Sequence, residues 1–164
     1  MSWFVTVVPL HFFAADPGRW DWLRSDPTFI GVPADPPAPR PLPAMRDVLG
    51  ALERSGCHGD PWYTVTDPEA GPRLPPCPRG DACDFEKDLG EVLIHGGGGD
   101  HLSLDTPVDD MAFRSPAEPA AVLGALAFAE VAGPVVAIYD TNMALAVINP
   151  GDDPAAITAV WPYQ

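Results

Sequence analysis

Proline is the residue that most restricts what this chain can fold into. It accounts for 22 of the 164 residues, and each one lacks the backbone N–H that a helix interior or a central strand requires. The densest stretch is 26–43, with Pro27, Pro33, Pro36, Pro37, Pro39, Pro41 and Pro43 and no sustained hydrophobic period. It reads as an extended, polyproline-like segment wrapped over the surface. A second group, Pro68, Pro72, Pro75, Pro76 and Pro78, falls in 67–90. That stretch reads as one long loop, and loops beyond about 15 residues in compact domains are usually functional or disordered.

The windows between these stretches carry the regular structure. Trp3 to Val8 is β-branched and aromatic, which predicts a strand. His11 to Phe13 continues it after a bulge, and Arg19 to Leu23 makes one short helical turn. Residues 43–55 place Met45, Val48, Leu49 and Leu52 on one helical face, with Gly56 as the stop. Trp62 to Thr66 predicts a second strand. Glu91–His95 and His101–Leu104 predict a hairpin about Gly96 to Gly99, followed by an acidic loop over 105–115. Ser115, Pro116 and Glu118 start a helix that runs to about Val131 and stops at Gly133-Pro134. Val135–Tyr139 and Met143–Asn149 form a hairpin, and Ile157–Trp161 a last strand. The expectation is one α+β domain over 1–164, a mainly antiparallel sheet of about five to seven strands with two main helices packed on it. A chain of this length buries roughly 70% of its unfolded surface. It needs neither metal nor disulfide to fold.

Charge excludes two classes of partner. With 23 acidic and 9 basic residues the formal net charge is −14, which repels a phosphate backbone and an anionic lipid surface alike. Neither nucleic acid nor membrane is expected; a basic protein, a cationic ligand or a metal ion is. The imbalance is local. Residues 1–57 hold six acids and five bases, whereas the stretch from Asp81 to Asp110 holds Asp81, Asp84, Glu86, Asp88, Glu91, Asp100, Asp105, Asp109 and Asp110 against Lys87. A solvated surface leaves the same pattern as an interaction face. No apolar run is long enough to span a bilayer, and Met1-Ser2-Trp3-Phe4 has no basic leader region. The cytoplasm is therefore expected, with thiols reduced. Eight Arg to one Lys with abundant Ala, Pro and Gly suggests a GC-rich bacterial genome.

Three cysteines and four histidines supply the metal candidates. Cys57, His58, Cys77 and Cys83 offer thiolates and an imidazole for zinc, with His95 or His101 as a further ligand. The six-residue spacing of Cys77 and Cys83 is wider than in zinc knuckles, and also allows a disulfide between them. His95 and His101 flank the Gly96–Gly99 tip and, facing each other, offer a second cation site with Asp100 and Asp105. The His95-Gly96-Gly97-Gly98 run resembles the oxyanion loop of lipase and esterase families, but the Gly-x-Ser-x-Gly elbow those families need is absent. No phosphate loop, dinucleotide fingerprint or catalytic triad occurs either.

These observations favour an acidic protein-binding module without catalytic residues, an immunity or inhibitor protein that neutralises a basic toxin or effector. Asp81, Asp84, Glu86, Asp88, Asp105, Asp109 and Asp110 would contact the partner, with Phe85 and Phe113 as anchoring aromatics. The alternative is a small metal-dependent enzyme or ligand-binding protein built on the His95–His101 loop and the cysteines, with zinc as cofactor.

Overall fold

Along β1 (Phe4–Pro9), Val5 and Val7 are buried and Phe4, Thr6 and Val8 half-buried, the two-residue period of a strand with unlike faces. The computed structural model describes residues 2–67, 69 and 71–161; Met1, Pro68, Ala70 and 162–164 lie outside them. Among the described residues β1 lies inside a six-stranded sheet with β2 (His58–Pro61), β4 (Asp88–His95), β6 (Asp110–Arg114), β7 (Val135–Tyr139) and β8 (Ala144–Ile148), in the order β2-β4-β6-β1-β7-β8. Only β2 and β4 run parallel; the other neighbours are antiparallel.

The sheet has a core on each side. Val135, Ala137, Ala146 and Ile148 face α3 (Met45–Ser55) and α4 (Glu118–Ala132), whereas Val136, Leu145 and Val147 face α1 (Leu10–Phe13) and α2 (Pro17–Ser25). Successive residues of β7 and β8 thus serve opposite cores, so both strands read as continuous apolar runs. Gly124 of α4 sits so close to the sheet that an added Cβ would lie 2.7 Å from Phe113 Cζ and 2.9 Å from Leu89 Cδ2. The α+β class and the antiparallel majority are as expected, with α2 and α5 (Pro154–Val160) added to the two main helices.

The proline-rich 26–43 segment closes one edge of the sheet. Ile30 N–H donates to the Leu145 carbonyl at 3.1 Å, and Val147 N–H to the Ile30 carbonyl at 2.8 Å, so the outer backbone groups of β8 are partly covered. Further on, the segment brings Arg40 near the buried His11.

Several elements differ from the sequence expectation. Residues 10–13 are helical, because Pro9 ends β1 and Leu10 N–H turns to the Pro134 carbonyl. The short turn at 19–23 is a nine-residue helix, capped by the Asp16 carboxylate accepting from Gly18 and Arg19. Trp20 is buried and Trp22 packs between Phe13 and Phe29. The 105–115 stretch is a loop only in its first half: β6 takes 110–114 and the place beside β4. The chain returning from Gly99 is displaced, and β5 (His101–Leu102) pairs in parallel with β3 (Thr64–Val65) instead. Ser115, at φ 52°, is not the cap of α4, whose N-cap is Ala117. Residues 154–160 form a helix started by Asp153 rather than a strand.

Candidate metal centre

The centre starts from the end of α3. Gly56 adopts φ 76° and stops the helix, and the chain leaves extended, so Cys57 and His58 point opposite ways. Cys57 enters the core and is wholly buried, where burial pushes its thiol pKa up. It is not a ligand candidate. His58 points instead toward the 67–90 segment, and its side chain is only 8% exposed.

Parallel pairing of β2 with β4 sets His58 opposite Asp88. Two short 3-10 turns, Gly80–Ala82 and Phe85–Lys87, fold the preceding segment, and Cys77 and Cys83 complete the group. The donor atoms of His58, Cys77, Cys83 and Asp88 all lie within 4.8 Å of one another. Cys77 Sγ is 3.6 Å from Cys83 Sγ, which is 3.9 Å from Asp88 Oδ2, and His58 Nδ1 is 3.9 Å from Asp88 Oδ1. With zinc bonds of about 2.3 Å to sulfur and about 2.0–2.2 Å to nitrogen or oxygen, a tetrahedron has edges of about 3.3–3.8 Å. The group is close to that size already.

Hydrogen bonds orient two of these side chains. His58 Nε2 is 3.0 Å from the Asp84 carbonyl. A carbonyl only accepts, so Nε2 carries the proton in this contact and Nδ1 presents a lone pair. Nδ1 is buried without a hydrogen-bond partner. Asp88 Oδ1 accepts from Gly90 N–H at 2.9 Å. The Cys83 thiol is pushed up to about 11 by desolvation first, then by Cys77 and Asp88; a cation among the same groups reverses that tendency. An open depression of about 730 Å³ borders the cluster, lined by Cys77 and Asp88 with Asp60, Arg79, Glu91 and Arg114 among others.

The other candidates fall elsewhere. His95 Nδ1 lies 2.7 Å from Asp110 Oδ1, directly across the β4–β6 pairing. His101 is 79% exposed, 3.9 Å from Asp100. Among the described residues neither joins a group of three or more metal-competent side chains. His95 is paired across to β6 and His101 to Thr64 of β3, so the two histidines of the Gly96–Gly99 tip have different strand partners. Asp88, expected to touch a partner, lies in the cluster.

The acidic face is also divided. Asp81, Asp84 and Glu86 are exposed around Phe85, itself 70% exposed. Asp110 pairs with His95 at the far end of β4 from Asp88, about 23 Å away at about 3.3 Å per residue. Asp109 is half-buried, its carboxyl raised by desolvation and then by Asp110. Asp105 is exposed and engaged by Arg46 at 3.0 Å. Phe113 cannot anchor a partner: it is wholly buried beneath α4.

Comparison with protein-family models, with curated proteins and with solved structures finds no match. Among the described residues no helix is long and apolar enough to cross a membrane.

Proposed function

We propose that this chain is a zinc-binding protein whose ion, held by His58, Cys77, Cys83 and Asp88, fixes the acidic 77–88 segment against the sheet edge. One observation carries the proposal: donors from three separated stretches converge within 4.8 Å, one of them a buried imidazole whose Nδ1 has no hydrogen-bond partner. Thiolates with an imidazole suit zinc, and four protein ligands without an open position are the structural type of site. A structural ion points to a binding module rather than an enzyme. Thiolate ligands also need a reducing compartment, which suits the cytoplasm. Metal analysis of the purified, reduced protein beside its Cys83→Ser variant tests this; equal zinc in both contradicts it.

A second reading builds on the first and is favoured by the exposure of Phe85 among Asp81, Asp84 and Glu86. The fixed segment presents an aromatic anchor within an acidic surround to a basic protein, as an inhibitor or immunity protein of bacterial origin would. Capture from lysate at low and high salt tests it. A basic partner that is lost with salt, and lost with Phe85→Ala, supports it; retention by the Phe85→Ala variant places the contact elsewhere.

A further inference from the structure

We infer that Cys77 and Cys83 form an oxidation site, at which a hydroperoxide joins the two sulfurs and discharges the ion. The inference rests on the zinc reading and adds its regulation. The sulfurs stand 3.6 Å apart, against about 2.05 Å in a disulfide, so a shift of about 1.5 Å closes the bond. Neither cysteine lies in a strand or helix. Between them Gly80, at φ 58°, has open space where a side chain would be, so the connecting turn has room to adjust.

Access separates these two thiols from the third. Cys77 and Cys83 are partly exposed, and Cys77 borders the 730 Å³ depression, whereas Cys57 is buried in the core. A peroxide reaches the pair from solvent and does not reach Cys57.

The chemistry balances with hydrogen peroxide as the oxidant. One thiolate attacks a peroxide oxygen, the O–O bond breaks, and a sulfenic acid forms as hydroxide leaves. The second thiolate displaces the sulfenic hydroxyl as hydroxide, and the S–S bond forms. Two electrons pass from the sulfurs to the peroxide, and two protons convert the hydroxides to water. Zinc then keeps only His58 and Asp88 of its four ligands and leaves as the hydrated ion. A thiol reductant returns both electrons and restores the site.

The test uses the full chain, reduced and loaded with zinc, then titrated with hydrogen peroxide. Released zinc is read with a chromogenic chelator, and cysteine linkage by peptide mass. The expected result is about one zinc released per Cys77–Cys83 disulfide, with uptake restored by reductant. Zinc retained at full peroxide, zinc lost through sulfinic acid on a single cysteine, or a linkage through Cys57 overturns the inference. The Cys57→Ala variant should behave as the parent. If the reduced chain takes up no zinc the metal reading fails by itself, and the peptide masses of the metal-free chain still report whether the disulfide forms.

Discussion

His58 and Asp88 stand opposite one another in the parallel pairing of β2 with β4, with Nδ1 3.9 Å from Oδ1. That separation is too long for a hydrogen bond and fits two ligands of one ion. The sheet therefore fixes half of the proposed centre, and the 67–90 segment brings the two cysteines to it. Zinc should raise the thermal midpoint of the reduced protein. At free zinc about 1,000 times its Kd the gain is about 4 kcal/mol, and Cys83→Ser should remove it. Because two cores back the sheet, the metal-free chain should still unfold cooperatively.

Asp88→Asn removes the carboxylate charge and keeps the acceptor for Gly90 N–H. Zinc affinity should fall by at least about 10-fold, read by competition with a chelator, while circular dichroism stays unchanged.

Gly124→Ala tests the packing beneath the centre. The new methyl meets the Phe113 ring and Leu89 on the sheet. Overpacking costs about 1–3 kcal/mol, and better helix propensity returns up to about 1 kcal/mol. A net loss of stability is expected in urea unfolding, with zinc binding retained.

His11 gives the fold a pH dependence. Burial first, and then the Arg40 charge, hold its pKa below 6.5, so the native state favours the neutral ring. The unfolded chain takes up the proton first as pH falls below about 6.5. Stability should be full above that value and decline as pH drops toward the lowered native pKa. His11→Gln should flatten this part of the profile in urea midpoints at about pH 7.5 and about pH 5.5.

Asp109 should act with the opposite sign. Its native pKa is raised by desolvation and by Asp110, so its charge costs stability at neutral pH and the cost is relieved as pH falls through the raised value. Asp109→Asn should raise the urea midpoint at neutral pH, with the gain vanishing in acid.

What the residues disclose depends on how local their cause is. The α3 stripe of Met45, Val48, Leu49 and Leu52, its Gly56 stop, and the β7–β8 hairpin are set by neighbours in the chain. β6 was hidden because Asp109 and Asp110 made its surroundings read as an acidic loop. Residues 154–160 looked strand-like through Ile157 and Val160, yet Asp153 and Pro154 start a helix there. His58, Cys77 and Cys83 are recognisable as ligand candidates, though no more so than Cys57, His95 or His101. Asp88 is not, because only the β2–β4 register distinguishes it from the other acids. The same long-range pairing sends His95 to Asp110 and His101 away from it.

The most direct measurement is zinc stoichiometry: the reduced protein and its Cys83→Ser variant, each equilibrated with zinc, desalted and analysed for metal. The zinc-binding proposal predicts about one zinc per chain in the parent and a marked loss in the variant. A parent that retains no zinc, or a variant that retains as much as the parent, would contradict it.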